Sequence, residues 1–576
     1  MWCSKCQKET PHLTCEICGS NTEPFIPQKI FWCENCKVPV IVPCNSVQPS
    51  CTCCNSSLKP LTSDIRPVFP EERLLLEILL DKPFAYKDKS VWANGSNYFI
   101  DGKVKRLSSK VFSIVDVESI IAQLKANEAE NKETYSTFNA LIDKFVYCNK
   151  ERLFLIENEA FAFIQKVASK YSEEQLMISF SGGKDSTCTQ DLTVRALSNP
   201  SIVHVFGNTT LEFPFTYEYV ERFKRNNPRS IFKIAKNKEQ EFFNVCEDIG
   251  PPSRVMRWCC TMFKTGPITR VINNIYGKGK ILTFYGVRKC ESTSRSKYNR
   301  LEEKSESVKI QKESLASPIF YWMDIDVWLY LLSNKVDFND AYRLGYDRVG
   351  CWCCPNNTGR AQFLSRIYMP EQSKKWRDFL ISFAERIGKP DAEVYVDEGK
   401  WKARQGGNGI KASEDVKIKY TNCTSEENAK IYQLNKQVDD HLLNLFVPFG
   451  KVSKELGRKI IQEVIVLDIK TNIPILSIQP FHNSESEFAV KVKTMNVKDH
   501  NDLQRMVSYQ IRKFNACRKC LKCESVCKYG AITIIAGEYK INKLKCKHCK
   551  ACITAKYLDG GCLMDKYLKT ISFVQK

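Results

Sequence analysis

The stretch Ser181-Gly182-Gly183-Lys184-Asp185-Ser186 constrains this chain more than any other. It follows an apolar run, residues 176–180, that reads as a buried strand, and it leads into residues 186–197, which read as a helix. A Gly-Gly turn between strand and helix presents backbone N–H groups, and the helix N-terminus adds partial positive charge. Together they make a cradle for phosphate. The spacing of glycines and lysine is that of neither the Walker A loop nor the dinucleotide fingerprint. Short β-rich runs recur at residues 202–206, 231–235 and 281–285, with helical stretches between them. This alternation predicts an α/β core: a parallel sheet covered by helices on both faces, with the ligand at the carboxyl ends of the strands.

At 576 residues the chain is long enough for about three to five domains, and 43% hydrophobic content allows well-packed cores. No apolar run reaches the length of about 18 residues that a membrane span needs, and Met1-Trp2-Cys3-Ser4-Lys5-Cys6 lacks the apolar centre of a signal peptide. A cytoplasmic protein with no membrane partner is expected. Most of the 28 cysteines stand in C-x2-C units, which in a large chain without a secretion signal points to metal thiolates and not to disulfides. The formal charge of +21 is then misleading, because two zinc sites and three iron–sulfur clusters would remove about 10 of it. The remaining basic excess favours anionic partners such as nucleotides or nucleic acid.

Two C-x2-C pairs fall within residues 1–22 (Cys3, Cys6, Cys15, Cys18) and two within 23–60 (Cys33, Cys36, Cys51, Cys54). Four soft ligands in paired knuckles suit tetrahedral zinc, and segments this short need the metal to fold; rubredoxin-like iron is the rival that spacing leaves open. Cys44 and Cys53 are left over. Residues 60–70, with three prolines, read as a linker. Residues 71–170 read as a small mixed domain with helices, in which Asp101-Gly102 marks a hairpin. The chemical centre spans 171–400. Residues 401–510 read as a small α/β module that begins with a basic, aromatic, Gly-rich loop after Lys400, fit to clasp a phosphate backbone, to cover the nucleotide or, equally, to lie solvated. In 511–576, Cys517, Cys520, Cys523 and Cys527 have the C-x2-C-x2-C-x3-C spacing of bacterial-type ferredoxins, and Cys546, Cys549 and Cys552 repeat its first three positions. The fourth is delayed to Cys562. Since the fourth cysteine serves the other cluster in such pairs, Cys517, Cys520, Cys523 and Cys562 would bind one [4Fe–4S] cluster, and Cys546, Cys549, Cys552 and Cys527 the second.

The loop 181–186 resembles the PP-loop of the ATP-pyrophosphatase and phosphoadenylyl-sulfate (PAPS) reductase superfamily, whose core is an adenine-nucleotide α-hydrolase-like sheet. Four further segments resemble the PAPS and adenylyl-sulfate reductase family, in that family's order. They are Asn208-Thr209-Thr210-Leu211-Glu212-Phe213-Pro214; Gly286-Val287-Arg288-Lys289-Cys290-Glu291-Ser292 with Arg295; Pro318-Ile319 with Trp322, Asp326, Val327 and Trp328; and Gly350-Cys351-Trp352-Cys353-Cys354-Pro355. The resemblance covers roughly residues 171–365. It implies that Ser181, Gly182, Gly183, Lys184, Asp185, Ser186, Arg288, Glu291, Ser292 and Arg295 bind an adenine nucleotide: ATP, adenylyl sulfate or PAPS. Lys184, Asp185, Arg288 and Arg295 would act on the reacting groups, with Asp185 able to hold Mg²⁺. It also implies a third [4Fe–4S] cluster on Cys259, Cys260, Cys351 and Cys354, with Cys353 as a substitute for Cys354. Asn208-Thr209-Thr210 departs from the family's Asp-Thr-Gly. The tail from Cys562 to Lys576 lacks the Glu-Cys-Gly-[Leu/Ile]-His motif of typical reductases.

The expected function is therefore that of an iron–sulfur oxidoreductase of sulfur metabolism, with the ferredoxin segment passing electrons from a redox donor to the core. The missing tail motif and the intact loop keep ATP-dependent sulfur transfer to a nucleic acid as the alternative. A non-catalytic nucleotide- and nucleic-acid-binding protein is the third.

Overall fold

The structure, a computed structural model, describes residues 1–554 and Met564, apart from positions 4, 11, 13, 21, 109–110, 278, 304–312, 406–416, 484–485, 528 and 536–537. Its centre is a six-stranded sheet built from β1 (Leu176–Phe180), β2 (Val203–Asn208), β3 (Ile231–Lys236), β4 (Ile281–Tyr285), β5 (Leu301–Glu302) and β6 (Glu313–Ala316). The spatial order is β3-β2-β1-β4-β6-β5. All pairings are parallel except that of the edge strand β5 with β6. Both faces are covered, as the near-continuous apolar runs require. Ile178, Leu282 and Phe284 pack with Ile164 of the helix Lys150–Ala168, Leu192 of the helix Lys184–Leu197 and Trp328 of the helix Asp324–Ser333. The alternate residues Met177, Val205 and Ile281 pack on the other side with Ile272 of the helix Gly266–Tyr276.

Chain order reverses between β1 and β4, and a crevice opens at the carboxyl ends of strands at such a point. The loop 181–186 leaves β1 there, and Gly286 to Arg288 leaves β4 beside it. The strand β6 escapes sequence reading because Glu313 interrupts its pattern. That carboxylate is buried and accepts the Thr283 hydroxyl at 2.6 Å.

Residues 60–70 are not a free linker. Lys59–Thr62 pairs with Gln28–Cys33, and Arg66–Pro67 pairs with Val91–Asn94. The Asp101-Gly102 turn joins Asn97–Ile100 to Lys103–Arg106 as a hairpin. The six-stranded sheet that starts at Tyr420–Asn422 and ends at Ser486–Thr494 is antiparallel throughout, which corrects the α/β reading of this region. Four of its five pairings join strands consecutive in the chain, through connections too short for the crossover that a parallel pair needs. It shares one hydrophobic core with the cysteine-rich segment, through Leu476, Val490, Ile511, Leu521, Ile532 and Ile553. The basic aromatic loop also differs from expectation where it is described. Trp401 is buried edge-on against Trp376, Lys402 donates to the Asn357 carbonyl, and Arg404 donates to the carbonyls of Ile249 and Pro251. Among the described residues, no helix is long and apolar enough to cross a membrane.

Candidate nucleotide and metal–thiolate site

The loop after β1 is held open by its own serines. Ser186 Oγ accepts the Ser181 N–H at 3.1 Å and donates to the Gly183 carbonyl at 2.8 Å. Gly182 sits at φ +72°, a conformation that favours glycine, and its carbonyl accepts Asn339 Nδ2 at 3.2 Å. The helix Lys184–Leu197 starts directly after Gly183, and the Lys184 N–H donates to the Tyr342 hydroxyl at 3.0 Å.

Four charged groups close the crevice. Lys184 Nζ lies 3.1 Å from Asp324 Oδ1 and 3.6 Å from Asp185 Oδ2. Arg288 donates through Nε to Asp185 at 2.6 Å and through Nη2 to Asp324 at 2.7 Å. Both cations are buried, at 4% exposure each, so they are fixed in place ahead of any ligand. Burial works against the charge on Asp185, but Lys184 and Arg288 outweigh it and hold its carboxyl below the usual range. Burial likewise opposes the Lys184 ammonium, and the two aspartates more than compensate, which raises its pKa. Gly286 lets the two strand ends meet. A Cβ there would stand 2.5 Å from the carbonyl carbon of Asp185 and 2.6 Å from the amide nitrogen of Ser186.

Glu291 and Ser292 shape the turn that carries the arginines. Glu291 accepts the Arg288 N–H at 3.1 Å and pairs with the Arg295 guanidinium, while Ser292 Oγ accepts the Arg295 N–H at 3.2 Å. Thr209 anchors the turn that follows β2. Its N–H and hydroxyl both donate to the Glu212 carboxylate, at 3.0 and 2.8 Å.

Sequence reasoning missed Asp64, which lies in the supposed linker. It accepts the N–H groups of Asp324 at 2.8 Å and Ile325 at 3.1 Å, capping the helix that presents Asp324 to the site. Burial, then the negative charge of Asp324, pushes its pKa up to about 7 from an ordinary 3.8. The native state thus holds a proton that the unfolded chain has released. Stability from this group is full below about pH 4 and is lost as the pH rises through about 7. The thermal midpoint should fall between pH 5 and pH 8, and Asp64→Asn should narrow that fall by about 1–2 °C. An identical fall in the variant, measured by scanning calorimetry, would contradict the assignment.

The core cysteines gather near one another in the fold. Cys260 opens a π-helical turn, Cys260–Thr265, a geometry frequent at functional sites. Its sulfur accepts Arg257 Nη2 at 3.4 Å. Cys351 bridges to Glu212 in an isolated β-pair, and its sulfur lies 3.5 Å from Thr209 Oγ1. Cys354 faces Cys260 and Arg257, whereas Cys353 is buried beside Cys246. Among the described residues, three or more metal-ligating atoms close to within 4.8 Å of one another at the N-terminal cysteines, with Cys148 joining Cys36 and Cys53 in a further group. The sets Cys3, Cys6, Cys15, Cys18 and Cys33, Cys36, Cys51, Cys54 both do so, a spacing that fits one thiolate-bound zinc each. No three of the described core thiols close to within that distance. In the C-terminal segment Cys523, Cys527 and Cys552 gather around the buried Tyr539, whose pKa burial and these thiols raise. Cys562 lies outside the described residues.

Fold and site define an α/β nucleotide-binding domain with a PP-loop, accompanied by cysteine clusters of metal-binding type. Residues 175–357 match the family described as phosphoadenosine phosphosulfate reductase domain. The chain is 33% identical over 269 residues to an uncharacterized protein of Methanocaldococcus jannaschii, covering 46% of this chain and 54% of that one. A second uncharacterized protein of the same organism is 29% identical, over 45% of this chain and 60% of its own length. The chain thus spans little more than half of these two relatives. Adenosine 5'-phosphosulfate reductase 1 of Bacillus subtilis is 28% identical over 35% of this chain and 82% of its own. Among solved structures, the PAPS reductase of Candida auris in its phosphate complex aligns with TM-score 0.28 and 17% identity, over 36% of this chain and 97% of that one.

Proposed function

We propose that the chain is an iron–sulfur oxidoreductase that binds a sulfonucleotide of the adenylyl-sulfate type on the 181–186 loop and reduces it with electrons from its own C-terminal segment. The observation that carries this reading is the docking of that segment on the turn that holds Cys259 and Cys260. A Cβ at Gly266, the residue after the π-helical turn, would come within 2.9 Å of Leu521 Cβ. Arg270 donates to both carboxylate oxygens of Glu524, at 3.1 and 3.0 Å. Cys520 packs in the same apolar cluster as Cys259 and Cys351. Electrons leaving the segment 517–552 would thus have a short, dry path to the core cysteines.

Cubanes on Cys259, Cys260, Cys351 and Cys354, and on the C-terminal cysteines, would supply one-electron transfers when bound. The chain's own residues do the rest. The N–H groups of the loop and the start of the helix Lys184–Leu197 hold the phosphate. Lys184 and Arg288 exchange their aspartate partners for sulfate and phosphate oxygens and stabilise the charge that grows on the departing sulfite and AMP. Arg295, more exposed than either at 30% of its side chain, reaches the outer oxygens. Asp185 and Asp324, which share Lys184 and Arg288 as partners, favour a second reading in which Mg²⁺–ATP binds and sulfur passes to a nucleic acid.

Anaerobic incubation with a chemical reductant and adenylyl sulfate, and separately with ATP, tests both. Sulfite release from adenylyl sulfate supports reduction; pyrophosphate release from ATP alone overturns it in favour of transfer. No affinity for either nucleotide would leave only a binding role for the chain. Arg270→Glu sets like charge against Glu524 and Glu239 and should cut turnover about tenfold with iron content unchanged. Undiminished turnover would remove the docked path from the mechanism.

A further inference from the structure

The second N-terminal cysteine set has neighbours that a simple zinc ribbon does not use. Cys36, Cys53 and Cys148 hold their sulfurs within 4.8 Å of one another, and Cys36 also belongs to the set Cys33, Cys36, Cys51, Cys54. Cys51 Sγ lies 3.8 Å from Cys36 Sγ and 4.0 Å from Cys148 Sγ, and Cys33 Sγ lies 3.5 Å from Cys54 Sγ. Two thiolates on one tetrahedral zinc, each at about 2.3 Å from the metal, stand about 3.8 Å apart. We propose that Cys33, Cys36, Cys51, Cys53, Cys54 and Cys148 form one six-thiolate site for two zinc ions, with Cys36 and Cys51 shared between them.

The ligand count closes. Two tetrahedral ions need about eight metal–sulfur bonds, and six thiolates supply them when two of them bridge. Cys33 and Cys54 complete one ion; Cys53 and Cys148 complete the other. Charge closes as well. Two divalent ions with six thiolates carry about −2, the same as one ion with four, so the second ion neutralises both additional thiolates. The buried Cys148 thiol is thereby placed among metal-ligating partners of its own kind.

The approach of Cys148 is built into the fold. It ends the helix Tyr135–Cys148, far in sequence from the ribbon, and its carbonyl accepts Thr52 Oγ1 at 2.6 Å. The next residue, the buried Asn149, accepts the Ile41 N–H at 2.8 Å and donates to the Pro39 carbonyl at 3.0 Å. The following helix, Lys150–Ala168, is clamped to the nucleotide domain by Arg152, which grips Asp326 through Nε at 2.9 Å and Nη2 at 2.8 Å. The second zinc would therefore staple the ribbon to the element that braces the central sheet. Cys44, the other unassigned thiol of this region, joins neither group.

Zinc and iron per chain, measured by atomic emission on full-length protein purified anaerobically, test the site. The wild type should hold about three zincs, one on the first ribbon and two on this site. Cys53→Ser and Cys148→Ser should each lose about one, with iron unchanged as the check on folding, and Cys44→Ser should lose none. After exchange into ¹¹³Cd, two of the cadmium resonances should couple through the shared sulfurs. Cys53 is exposed, so its serine variant tests the ligand without disturbing a core. Two zincs in the wild type, an unchanged count in Cys53→Ser, or uncoupled cadmium resonances would each overturn the proposal.

Discussion

Cys351→Ala should remove about four irons per chain, abolish turnover, and leave the spectroscopic signals of the C-terminal clusters intact. The expectation rests on where Cys351 stands. It is joined through its backbone to Glu212 and through its sulfur to Thr209, in the turn that follows β2. A cubane that loses one of four thiolates rarely survives isolation, and outer contacts such as Arg257 on Cys260 cannot replace a ligand. Of the C-terminal cysteines only Cys520 packs with the core set, while Cys523, Cys527, Cys546 and Cys552 belong to another core that has its own hairpin, so the iron there should be unaffected. Iron counting and electron paramagnetic resonance on the anaerobic protein decide the matter. Unchanged iron in the quadruple variant of Cys259, Cys260, Cys351 and Cys354 would make these thiols structural.

The central sheet was legible because its strands are short, apolar and separated by helices, and because one loop announces the end of β1. What the sequence hid has physical causes. Glu313 breaks the pattern of β6, yet it is satisfied by Thr283 across the sheet. Asp64 sits between prolines in a stretch that reads as linker, and only the folded chain brings it to the start of the helix Asp324–Ser333. Cys148 is a lone thiol at a helix end, with no C-x2-C partner to mark it. Trp401 had a basic, Gly-rich context that suggested a surface clasp, while its indole is core. Local spacing reveals ligands that lie close in sequence. It does not reveal those that the tertiary fold supplies singly.

The same distinction separates two glycines whose motifs look alike on paper. Gly286 follows β4 and Gly350 precedes Cys351, and both stand in segments that resemble the reductase family. A Cβ at Gly350 would meet nothing within 4 Å, whereas one at Gly286 would meet the Asp185 carbonyl carbon and oxygen at 2.5 Å. The obstruction at Gly286 is backbone at the first turn of a helix, so no rotamer change relieves it. The strand end and the phosphate loop must move apart. Arg288 travels with Gly286 and would lose its 2.6 Å bond to Asp185, leaving the charge quartet unbalanced. Gly286→Ala should therefore weaken adenine-nucleotide binding at least about 100-fold, or about 2.7 kcal/mol, while Gly350→Ala binds as the wild type does. Calorimetric titration of both variants with adenylyl sulfate and ATP gives the comparison, with zinc content as the control for folding. Wild-type affinity in Gly286→Ala would place the nucleotide somewhere other than the junction of β1 and β4.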